Sequence, residues 1–84
     1  MSPKRFTEIR EKMGLTQEQL SEVLGLAGRK PVSHYETGFR KPGDLIAALM
    51  ELFDSLPEKK SLELRELLLV EMKKVKKPKG KKAR

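Results

Sequence analysis

Apolar residues recur at helical spacing along most of the chain, and no alternating β-branched run suggests a strand. Phe6, Ile9 and Met13 form the first such set. Ser2-Pro3 ahead of them supplies a cap and a proline for the first helical position, and Gly14 closes the segment, predicting a helix over Pro3–Met13. Thr16 and Gln19 have the spacing of a capping box, with Leu20, Val23 and Leu24 on one face and Gly25-Leu26 at the end. A second helix over Gln17–Leu24 follows. Pro31 is expected to open a short third helix with Val32 and Tyr35 turned inward, ended by Thr37-Gly38. Residues 39–43 read as a loop. Leu45, Ile46, Leu49, Met50 and Phe53 mark a fourth helix over Asp44–Ser55, broken by Pro57, and a fifth extends over Glu58–Val75. The fold class is all-α, with five helices.

The fifth helix is apolar on more than one side. Leu64, Leu68, Met72 and Val75 share a broad face, Leu62 and Leu69 point roughly the opposite way, and Leu67 and Val70 lie between. A helix of this kind asks for more than one neighbour: one side covers the domain core, and the other is left for a second subunit. The plainer alternative is a terminal helix with partly exposed leucines.

Charge sharpens this picture. The 84 residues carry a net +7, but residues 73–84 hold seven Lys and one Arg without an acid (+8), whereas residues 1–72 hold 11 basic and 12 acidic residues (−1). Within the body, residues 1–43 are weakly basic (+3) and residues 44–72 acidic (−4). Such asymmetry points to a polyanionic partner, nucleic acid ahead of membrane. The chain has no cysteine and a single histidine, His34, so thiolate zinc sites are excluded and histidine-based catalysis has little to work with. No Ser/His/Asp constellation or Gly-rich phosphate loop is present, and an enzyme is the weakest reading. No apolar run approaches a membrane span and the N-terminus lacks a secretory signal, so a cytoplasmic location is expected.

Two short helices joined by a tight glycine-containing turn are the layout of a helix-turn-helix, whose second helix enters the DNA major groove. The stretch Leu15-Thr16-Gln17-Glu18-Gln19-Leu20-Ser21-Glu22-Val23-Leu24-Gly25 resembles the phage-repressor and Cro-type (XRE) regulators. Val32-Ser33-His34-Tyr35-Glu36-Thr37-Gly38 resembles the family's helix-three ending, and Arg40-Lys41-Pro42 its following basic loop. The span from Gly25 to Val32 is one residue longer than is usual there, and Pro31 stands where a small polar residue is common. The resemblance covers about Pro3 to Leu56. It implies a lambda-repressor-like helix-turn-helix bundle over 1–56; the apolar faces of the fifth helix make 57–75 the candidate for dimerisation, and the Lys/Pro/Gly composition of 76–84 is that of a disordered basic tail.

The same resemblance assigns roles. Gln17, in the first turn of helix two, would contact a phosphate, its alternative being a merely solvated helix start. Thr37, Gly38, Arg40 and Lys41 would add phosphate contacts. Arg29, Lys30, Ser33 and His34 are the candidates for reading base edges, against the plainer reading of a charged loop and indifferent surface residues. Arg10 lies on the apolar stripe of helix one and Glu36 lies four residues after Val32. A hydrogen-bonded pair makes two such charges tolerable, and similar proteins pair these positions. The expected function is that of a sequence-specific DNA-binding transcriptional regulator, a repressor acting by operator occupancy on double-stranded DNA as a homodimer. No cofactor, metal, small-molecule ligand or membrane is expected. The alternatives are an antitoxin or restriction–modification controller, and a protein-interaction adaptor on the same fold.

Overall fold

Ser2 opens the first helix by accepting a hydrogen bond at Oγ from the Arg5 backbone N–H (3.1 Å), with Pro3 in the first turn, where its missing N–H leaves no bond unmade. The computed structural model describes residues 1–76 and contains α1 (Pro3–Met13), α2 (Gln17–Leu24), α3 (Arg29–Thr37), α4 (Asp44–Ser55) and α5 (Glu58–Lys76). No strand occurs among the described residues, and no helix there is long and apolar enough to cross a membrane. The capping box of α2 is complete: Thr16 Oγ1 accepts from the Gln19 N–H (3.0 Å) and Gln19 Oε1 from the Thr16 N–H (2.9 Å).

The core consists of Phe6 and Ile9 from α1, Leu20, Val23 and Leu24 from α2, Val32 from α3, and Met50 and Phe53 from α4. The fifth helix contributes only the partly buried Leu64, Leu68 and Leu69. Four helices therefore enclose the core and α5 lies over it. A polar clasp on the rim joins α1 to α4: Arg5 reaches Glu51 (2.9 Å) and Asp54 (2.8 Å), and Lys12 reaches Asp54 (2.9 Å). The hydrogen bond from Arg5 holds the Glu51 carboxyl below its usual range, and those from Lys12 and Arg5 do the same for Asp54. Exposed pairs of this kind contribute little to stability and mainly fix the register of the two helices.

Four expectations need correction. The third helix begins at Arg29, two residues before Pro31. Pro31 is thus its third residue, still within the turn whose N–H groups have no intrahelical partner, so proline breaks no bond there. Leu45, counted in the inner set of α4, is 73% exposed. On α5, Leu69 packs toward the core, while Val75 lies outside, and Leu67 and Val70 are 63% and 51% exposed. The covered sector is wide because α5 rests on several neighbours: Met72 meets Gly25 at the end of α2, and Arg65 Nη1 donates to the Met13 carbonyl at the end of α1 (3.1 Å). Finally, the disordered tail was expected to start at residue 76, but Lys76 is the last residue of α5; the remainder of that expectation, 77–84, lies outside the described residues.

Gly25 does two things at once. Its φ of +72° is left-handed, and a Cβ there would stand 2.7 Å from Met72 Sδ. Gly25→Ala is expected to lower stability by about 1–2 kcal/mol, the cost of left-handed backbone for an L side chain, because flexible Met72 can move aside. Chemical denaturation measures the loss; an unchanged midpoint would show that neither the turn nor the α5 contact needs glycine.

Candidate nucleic-acid interface

The α2–turn–α3 unit is held by one polar knot. Arg10 of α1 forks onto Glu36 of α3, with Nε donating to Oε2 (2.5 Å) and Nη2 to Oε1 (3.2 Å). The remaining guanidinium nitrogen, Nη1, donates to the Leu15 carbonyl in the α1–α2 turn (2.8 Å). Gln17 Nε2, at the start of α2, donates to Glu36 Oε1 (3.0 Å). The Arg10 and Glu36 side chains are only 15% and 8% exposed. Bidentate geometry and the additional donors offset the desolvation of two charges, and together they tie α1, α2 and α3 at one point. The knot adds a polar tie to the apolar packing of α2 against α3.

Val32 is buried and Tyr35 packs its ring 5.4 Å from that of Phe6. Val32, Tyr35 and Glu36 thus form the side of α3 held by the rest of the domain. Arg29 and Lys30 are exposed at its first turn, Ser33 and His34 are half-buried, and Thr37 is exposed at its end. Gly28 precedes the helix without a side-chain cap, and no acid stands in the first turn. Two cations thus share the end where the helix dipole is already positive, which destabilises the isolated helix slightly and suits an approaching anion. Arg40 and Lys41 are exposed just beyond the opposite end. None of these four cations joins an ion pair among the described residues. The outward face of α3 is therefore a polar strip bracketed by free positive charge.

The match to known families agrees with this geometry. The helix-turn-helix family model of the XRE, lambda-repressor-like type matches residues 7–57, more than half of the chain. The chain belongs to this helix-turn-helix family. No curated protein and no solved structure matches it. The family is one of DNA-binding transcription regulators.

Within this helix-turn-helix protein the candidate residues fall into two groups. Arg29, Lys30, Ser33, His34, Thr37, Gly38, Arg40 and Lys41 lie on or just beyond α3. Gln17 stands apart from them, since Glu36 takes one of its amide hydrogens; a phosphate there would meet the second amide hydrogen and the first-turn backbone N–H groups. The connection between α2 and α3 is residues 25–28, and Arg29 and Lys30 are helical. Thr37 is committed locally: its hydroxyl donates to the His34 carbonyl (3.3 Å) and accepts from the Phe39 N–H (3.4 Å). Sequence reasoning passed over Phe39, which lies in the turn beyond α3 with its ring 4.7 Å from that of His34. Its signal was an aromatic residue inside a basic loop.

Proposed function

We propose that the chain is a sequence-specific transcriptional repressor that occupies its operator as a homodimer and so excludes the polymerase. The observation that supports this most directly is the α3 strip: half-exposed Ser33 and His34, and at its two ends Arg29, Lys30, Arg40 and Lys41, which join no ion pair among the described residues. Polar side chains on a helix of this kind can read base edges, while cations at its ends hold phosphates and set register. Repression by occupancy requires no ligand-binding domain, and a location in the cytoplasm accords with it.

The homodimer is supported by a stripe on α5. Glu63, Leu67, Val70 and Lys74 recur at spacings of four, three and four, the seam of a two-helix contact. Two copies laid antiparallel would set Leu67 of one against Val70 of the other, and Glu63 against Lys74. Parallel copies would set like charges together.

Selection of bound sequences from a random duplex pool tests the reading. The wild-type chain is expected to enrich one palindromic sequence. Ser33→Ala with His34→Ala is expected to relax preference at particular positions, losing about 1–3 kcal/mol per good contact, with the melting temperature nearly unchanged. Unchanged preference in the double variant would show that α3 does not read the bases through this face.

A further inference from the structure

Phe39 is the unexplained feature of the DNA-facing surface. Its ring is 72% exposed, whereas Phe6 and Phe53 are buried and Tyr35 packs against Phe6. It is not a loosely placed side chain. The His34 ring lies against it at a centroid distance of 4.7 Å and an angle of 52°. The turn carrying it is closed on both sides, with the Arg40 N–H bonded to the His34 carbonyl (3.2 Å) and the Phe39 N–H to Thr37 Oγ1 (3.4 Å). A fixed apolar surface in water, next to the exposed cations Arg40 and Lys41, is what a preformed contact for a polyanion with an apolar feature looks like.

We infer that Phe39 is a specificity-determining residue that packs on a thymine 5-methyl group in the major groove. The inference rests on the DNA-reading role of α3 proposed above. His34 and Phe39 share one surface, so a His34 that faces base edges brings the Phe39 ring to the same groove. Of the groups displayed by base pairs in the major groove, the thymine methyl is the apolar one, and phenylalanine is among the side chains that meet it. His34 then serves both as a hydrogen-bonding side chain and as the wall that keeps the Phe39 ring in place.

The test uses the full 84-residue chain and its selected duplex, with each thymine replaced in turn by deoxyuridine, which removes only the methyl group. Wild type is expected to lose affinity about fourfold at one position per half-site, the value of one buried methyl-sized group. Phe39→Ala is expected to bind the thymine duplex more weakly, to become indifferent to deoxyuridine at that position, and to melt at the wild-type temperature. Phe39→Leu, apolar but without the ring, is expected to retain part of the methyl preference, which separates apolar contact from mere support of His34. Methyl sensitivity that persists in Phe39→Ala overturns the inference. So does a loss that is equal on selected and random duplexes, because it places the ring on the sugar–phosphate wall. A wild-type chain that enriches no sequence overturns the base-reading role of α3 as well, which distinguishes the two failures.

Discussion

Replacing Arg10 by methionine is expected to destabilise the protein by about 3–5 kcal/mol, among the largest effects of any single substitution outside the apolar core. The substitution removes the fork that satisfies Glu36 and the donor that satisfies the Leu15 carbonyl. Glu36, with its side chain 8% exposed, would retain one side-chain partner, the amide of Gln17. A carboxylate in that position is desolvated without its counterion, which is costly. Arg10→Met combined with Glu36→Leu is expected to recover much of the loss, since an apolar pair of similar volume leaves no charge stranded. Thermal and chemical denaturation of the two single variants and the double variant form the cycle. Small, equal and additive losses would mean that the two charges behave as exposed, independent groups. DNA binding should not recover with stability: the double variant also loses the tie through Gln17 and the α1–α2 turn, so α3 is held less firmly against α2. A variant that is stable but weak in binding would place the value of the pair in orientation.

Leu67→Glu is expected to leave the monomer folded and to reduce operator binding by about 10²–10⁴-fold, the advantage lost when two linked binding events become separate ones. Leu67 is 63% exposed and borders Val70, Glu63 and Glu66 in a shallow surface patch, so an added carboxylate costs the isolated chain little. In the antiparallel pair the same carboxylate would fall on the apolar centre of the seam, twice by symmetry. Without the proposed pair, two recognition helices would not be held about 34 Å apart for half-sites one turn apart. Leu69→Glu is expected to behave differently. Leu69 packs against the domain's own core, so that variant should melt early whether or not a dimer exists. Sedimentation velocity and binding to a palindromic duplex separate the two cases. A wild-type chain that remains monomeric at high concentration with operator present would end the dimer proposal.

The elements whose signals lie within one or two turns were readable in advance. The Ser2-Pro3 start and Gly14 end of α1, the Thr16/Gln19 box and Gly25 end of α2, and the Pro57 break after α4 act through hydrogen bonds and dihedral preferences of neighbouring residues. Arg10 and Glu36 each sit on an apolar stripe, which marks them as charges in need of a partner, and the family resemblance pairs them with each other. The helix-turn-helix segment carried its family in its residues.

What lay beyond the sequence was azimuth and reach. Periodicity places side chains at angles around a helix axis but does not say which angle faces the core, and on a helix apolar on more than one side several choices have hydrophobic support. For α5 the choice came from docking, with Met72 over Gly25 and Arg65 on the Met13 carbonyl turning Leu69 inward and Leu67 and Val70 outward. Leu45 is outside for a similar reason: it occupies a position on α4 that no other helix covers. Gln17 was assigned to solvent or phosphate because its nearest demand, the carboxylate of Glu36, lies 19 residues away. Phe39 lies in the loop the sequence indicates, and its contact with His34 comes from the turn that follows α3. Local chemistry along the chain thus determined the helices and their ends, while the surfaces they present were decided by contacts between residues far apart in sequence, whose free energies exist only once the helices have packed.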